Sequence, residues 1–136
     1  MMSRRTRLLL AAAIVAGAIL VGGMVDRAIV GGPAWRQLGA PAWANYSRHA
    51  DLGMGLIAYP IEGIGAAVLA VVAAASHRLD RSGNGPRAIW LYVSAAGYLA
   101  GLALTAKAAP IMLSLADRPS PAAATRAFGE FSSWGL

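Results

Sequence analysis

Five ionisable side chains lie within or at the boundaries of the long apolar runs: Asp26, His49, Asp51, Glu62 and Lys107. Glu62 is the most isolated, inside the apolar run Leu52–Ala75 that is otherwise broken by Pro60. A carboxylate in hydrocarbon costs about 2.5–3.5 kcal/mol, so a group kept there needs a reason. Ionised, it is a general base, and Glu62 is the candidate catalytic residue. Neutral, it donates a hydrogen bond to a backbone carbonyl and is purely structural. Helix geometry places it ~15 Å along the axis from Leu52, near the midplane of a core about 30 Å thick. Asp51, Gly55, Ala58 and Glu62 fall on one face of a straight helix. Asp26 and Lys107 match in depth, which predicts an ion pair between them. With His49 and Asp51 at the same boundary, Asp26 and Lys107 outline a polar vestibule with Glu62 at its floor.

Each of these residues also has a plain reading. Asp26 beside Arg27 at a helix end can snorkel to the interface, and His49 beside Arg48 can be a solvated loop histidine. Asp26, His49, Asp51 and Glu62 have the oxygen and imidazole chemistry that suits iron, manganese or zinc. No His-x-x-x-His spacing supports such a centre, and His77 falls on the other side of the membrane; no metal site is assigned, and the cofactor is unknown.

The elements that position these groups follow from composition. Of 136 residues, 57% are hydrophobic and 13% charged, against about 45–50% and about 25% in ordinary soluble domains. A short chain has much surface for its volume and would need more charge than this to be a soluble monomer; disorder demands the opposite balance. The surface therefore faces membrane lipid. Absence of cysteine excludes disulfides, thiolate metal sites and cysteine nucleophiles. The net charge of +6 would suggest nucleic acid in a soluble protein, but in a membrane chain it sets orientation, and no nucleic-acid partner is assigned.

The pattern predicts an all-α polytopic membrane helix bundle, a single integral membrane domain. Its three transmembrane helices cover about residues 8–28, 52–76 and 88–110, and an amphipathic tail over 121–134 is expected to lie on the outer surface. Ser3-Arg4-Arg5 before Leu8-Leu9 resembles the start of an export signal. The following apolar run is longer than a signal core and further spans succeed it, so it reads as a retained helix. Asp26–Asp51, with Trp35, Trp43, Tyr46 and several Gly and Pro, has interfacial composition, and His77–Pro86 reads as a tight loop. Pro110 reads as an exit from the core or a kink. Arg4, Arg5, Arg7, Arg78, Arg81 and Arg87 concentrate on one side; Arg27, Arg36, Arg48, Arg118 and Arg126 are spread along the other. This places the N-terminus in the cytoplasm of a bacterial-type inner membrane. Gly97 and Gly101, with Thr105 on the same line, are the candidate helix-packing residues. With Ala66/Ala70/Ala74 and Ala13/Gly17 they favour a compact bundle able to self-associate as a homo-oligomer or to join a larger membrane complex.

Four stretches carry a family resemblance: Trp43-Ala44-Asn45-Tyr46 with His49-Ala50-Asp51; Tyr59-Pro60-Ile61-Glu62-Gly63; Thr105-Ala106-Lys107-Ala108-Ala109-Pro110-Ile111-Met112; and Phe128-Gly129-Glu130-Phe131-Ser132-Ser133-Trp134-Gly135. In these the chain resembles the anthrone-oxygenase-like small membrane proteins, over essentially its whole length. The resemblance implies a four-helix-bundle design and, as in a few relatives, oxygenation of an anthrone to a quinone without an obvious metal. Two departures stand out. Members often carry an asparagine soon after the proline, where Pro110 is followed by Ile111-Met112-Leu113. Members usually continue past the tryptophan into a fourth span, so this is either a three-span variant or a chain that stops short of it.

Three functions remain open. One is an oxidoreductase acting on a lipophilic aromatic substrate, with Glu62 as base. Another is a small proton-coupled transporter using Glu62. The third is a non-catalytic membrane subunit or anchor.

Overall fold

The computed structural model describes residues 2–80 and 88–134. Among them every regular element is helical: α1 (Arg4–Asp26), a π-turn (Arg27–Gly31), α2 (Gly32–Leu38), α3 (Ala40–His49), a second π-turn (Ala50–Met54), α4 (Gly55–Leu79), α5 (Ala88–Leu113) and α6 (Pro121–Trp134). The fold is an all-α helix bundle. Joined through the π-turns, three stretches are long and apolar enough to cross a membrane: Arg4–Leu38, Ala40–Leu79 and Ala88–Leu113, of 35, 40 and 26 residues. The tight loop expected before Pro86 lies, with Arg81 and Arg87, outside the described residues, as do Gly135, Leu136 and the side chain of Trp134.

The chain packs as two compact units, Met1–Val21 with Pro60–Leu102, and Gly22–Tyr59 with Ala103–Leu136.

The first unit is built on small residues. Ala70, Ala74 and Ala95 form its buried core, with Leu91 and Tyr98 against them. Gly17 is buried in α1 because a Cβ there would collide with the hydroxyl of Tyr98. Ser3 caps α1: its Oγ accepts the Thr6 amide at 3.2 Å and lies 3.0 Å from the Thr6 hydroxyl, satisfying a donor that the helix itself cannot. The Ser3 amide in turn donates to Asp80 Oδ2 at 2.8 Å, strapping the start of α1 to the residue after α4.

The second unit is built on aromatic rings. Asp26–Asp51, expected as an interfacial connection, is helical almost throughout. Gly39 supplies the break: its φ of 87° suits glycine, and it lets α2 end and α3 restart at once. Trp43 is fully buried, with Phe128 and Phe131 of α6 at ring-centroid distances of 5.2 and 5.4 Å. The tail is helical over its expected range and amphipathic, but its apolar face (Ala124, Ala127 and Phe131) packs into this protein core. Pro110 does not end α5, which runs on to Leu113. The chain then turns through Arg118, in the left-handed region at φ 52°. It enters α6 with Pro121 in the first turn and Ser120 Oγ accepting the Ala123 amide at 3.3 Å.

Candidate functional site

In the second unit the two π-turns bring three polar side chains from distant parts of the sequence together. A π-turn inserts an extra residue into a helix and shifts everything beyond it around the axis. The Ala50–Met54 turn does this immediately after α3, with a further break at Gly53 (φ −87°, ψ −117°). The stripe expected from Asp51 through Gly55 and Ala58 assumes an unbroken α-helix. With one residue added, Tyr59 comes round to Asp51, and its hydroxyl donates to Asp51 Oδ1 at 3.2 Å. Gly55 makes room, because a Cβ there would sit 2.8 Å from the Ala50 carbonyl oxygen and against the Tyr59 ring.

Asp51 is 5% exposed. The guanidinium of Arg27, from the first π-turn, forms an ion pair and a hydrogen bond with the same Oδ1. Two rings flank that guanidinium: its Cζ lies 5.5 Å from the Trp35 centroid and 5.2 Å from that of Tyr59, distances at which the ring quadrupole attracts a cation. Trp35 is braced by Tyr46, with centroids 5.6 Å apart. A buried carboxylate is thus matched by one cation and one phenol.

The other face of the cluster is less complete. Asp51 Oδ2, Ser47 Oγ and Trp43 Nε1 are buried and have no hydrogen-bond partner among the described residues. Spaced four apart, the three residues lie along one line of α3 and the turn that follows it. The line offers, in order, a donor, a group that can donate or accept, and an acceptor. One oxygen of Asp51 is thus tied twice, and the other is buried without a partner among the described residues.

Of the expected vestibule, Asp51 is buried in this cluster. Asp26 is exposed at the last position of α1, and the cation on Asp51 is its neighbour Arg27. Lys107 is exposed on α5. His49 is exposed, and its Nδ1 donates to the Asn45 carbonyl at 2.8 Å. Arg27 and Tyr59 were not among the sequence candidates. Arg27 reads as an orientation charge, and the register that selects Tyr59 exists only once the π-turn is known.

Glu62 belongs to the first unit. It is exposed on α4, in an open groove otherwise lined by Ala16, Ile19, Ile61, Gly65, Ala66 and Leu69. Gly97 and Gly101 are exposed on α5, and a Cβ at either would meet nothing within 4 Å; the buried core in this unit uses Ala95 and Tyr98 instead. Among the described residues no three His, Asp or Glu side chains gather as a metal centre requires.

Comparison with known proteins finds no matching family model, no matching curated protein and no matching solved structure.

Proposed function

We propose that this chain is a subunit of an integral membrane assembly, crossing a bacterial-type inner membrane three times with its N-terminus in the cytoplasm. The observation that carries the reading is Glu62. Its carboxyl group is exposed on a helix long and apolar enough to cross a membrane, in a groove whose other lining residues are apolar. Left against hydrocarbon it would cost about 2.5–3.5 kcal/mol. Covered by a second helix that brings a donor, it becomes a specific contact, since hydrogen bonds and close small-residue packing are what hold membrane helices together. Gly65 and Ala66 in the same groove allow such an approach. The covering helix comes from a second copy or from a different membrane subunit.

A photoactivatable residue at Leu69 tests this. Leu69 lines the Glu62 groove, while Ile64, exposed on α4, lies on the far side of that helix. In cell membranes the probe at 69 is expected to give a protein–protein adduct and the probe at 64 lipid adducts. Lipid adducts from both positions would contradict the reading.

A second reading is an oxidoreductase acting on a lipophilic aromatic substrate, of the kind implied by the resemblance to the anthrone-oxygenase-like proteins. It draws support from the second carboxylate oxygen of Asp51, which has no hydrogen-bond partner among the described residues. There Asp51, rather than Glu62, is the base that takes a proton from a bound phenol. Asp51→Asn would abolish turnover of such a substrate in that case, and Glu62→Gln would leave it intact.

A further inference from the structure

The second unit holds another polar feature, separate from the Asp51 cluster. An open groove runs beside α3 and the turn into α6. Pro41, Ala44, Pro121 and Ala124 line its apolar part, and Asn45, Arg48 and Arg118 supply its polar groups. None of the lining residues is acidic. Two guanidiniums facing one groove repel each other unless an anion lies between them.

The Arg48 side chain is held by a neighbour, and Arg118 is set by its backbone. Arg48 Nη2 donates to Asn45 Oδ1 at 2.8 Å, which leaves the remaining donors of its fork for a ligand. Arg118 stands at the left-handed residue that ends the α5 turn, directly before Pro119, so its backbone direction is fixed on both sides.

The geometry points to the phosphate of an anionic phospholipid as the occupant, bound between Arg48 and Arg118 with its glycerol and acyl carbons along the proline and alanine wall. Planar guanidinium forks match phosphate oxygens two at a time. A lining that joins two guanidiniums to proline and alanine side chains fits an amphiphile, whereas a free phosphate ion would leave the apolar part in water. Trp35 and Tyr46 belong to the same unit, and such rings gather at headgroup depth. The inference rests on the membrane placement proposed above and adds to it a specific lipid class.

The test is native mass spectrometry of the full chain in a neutral detergent, titrated with phosphatidylglycerol, phosphatidylcholine or inorganic phosphate. Phosphatidylglycerol is expected to bind in preference to phosphatidylcholine. Binding should fall about fivefold for Arg48→Gln or Arg118→Gln and about 30-fold for the pair. Arg36→Gln, at an exposed arginine outside the groove, should leave binding unchanged, and the Arg48→Lys/Arg118→Lys pair, which keeps the charge without the fork, should bind more tightly than the Gln pair and less tightly than wild type. Equal binding of the two lipids, full binding by the Gln pair, or binding of inorganic phosphate without the lipid overturns the assignment. Alkaline carbonate extraction of the same cells separates the two levels. A chain released from the membrane overturns placement and lipid site together; a chain retained there, with no arginine dependence, overturns the lipid site alone.

Discussion

The two units solve the problem of helix association in different ways. In the first, helices approach through alanine and glycine. Ser3, Thr6 and Asp80 tie two of its helices together at the strap, and the carboxyl of Glu62 is left facing outward. In the second, a buried carboxylate pairs through one oxygen with a partly buried guanidinium and an exposed phenol, and the rings of Trp35 and Tyr59 flank the guanidinium. The difference teaches where to look for each kind of behaviour. A unit that pairs its charges internally is fixed in conformation by them. A unit that presents a carboxyl group on an apolar face depends on what covers that face.

The strongest way to break this contrast is to unpair the internal charge. Arg27→Ala leaves Asp51 buried without its cation and is expected to cost about 3–5 kcal/mol in thermal unfolding of the detergent-solubilised protein. The pair Arg27→Met with Asp51→Leu should recover most of that loss, because neither partner is then left buried and alone. A single variant as mild as the pair would show that the ion pair does not organise the unit. Next in size is Gly55→Ala, whose Cβ meets the Ala50 carbonyl at 2.8 Å; about 1–3 kcal/mol is expected from overpacking. In the first unit, glycines of opposite surroundings should differ in sign. Gly17→Ala drives a methyl group into the Tyr98 hydroxyl and should destabilise by about 1 kcal/mol. Gly97→Ala, in open space, should stabilise the helix by about 0.5–1 kcal/mol. Equal effects would deny that Gly17 is a packing contact.

The smallest effect concerns the strap. Hydrogen bonds from the Thr6 side chain and then the Ser3 amide hold the Asp80 carboxyl below the usual aspartate range. A carboxyl depressed by folding contributes stability that is present above its unfolded pKa and is lost as the pH falls through its folded pKa. Asp80→Asn should therefore lower stability slightly at neutral pH, leave it unchanged at strongly acid pH, and so flatten the acid limb of the pH–stability curve. A loss at neutral pH as large as that of Gly17→Ala would contradict so small a role.

Much of the architecture was legible in the hydropathy pattern. The long apolar runs read directly as helices long and apolar enough to cross a membrane, the form that backbone groups in hydrocarbon would require. Ala124, Ala127 and Phe131 likewise showed the helical period of α6, although not that protein rather than a lipid surface would receive them. The site was less legible for a geometric reason. Asp51 was visible as a charge at a span boundary, but its partners depend on two π-turns that no residue pattern announced, and one inserted residue is enough to bring Tyr59 round in place of Ala58. Asp26–Asp51 hid its helices because Gly and Pro signal a turn locally. Gly39 does make one, while Pro33 and Pro41 occupy first turns, where the missing amide costs nothing.

The central claim is that Glu62 is covered by another chain. Its most direct test is the protein mass, corrected for bound detergent, of wild type and Glu62→Leu in a mild detergent. The account predicts a wild-type particle well above the 14.0 kDa of one chain and a Glu62→Leu particle reduced to that single mass while remaining folded. A wild-type particle of one chain, with Glu62→Leu equally folded or more stable, would mean that the carboxyl group faces lipid alone, and would contradict it.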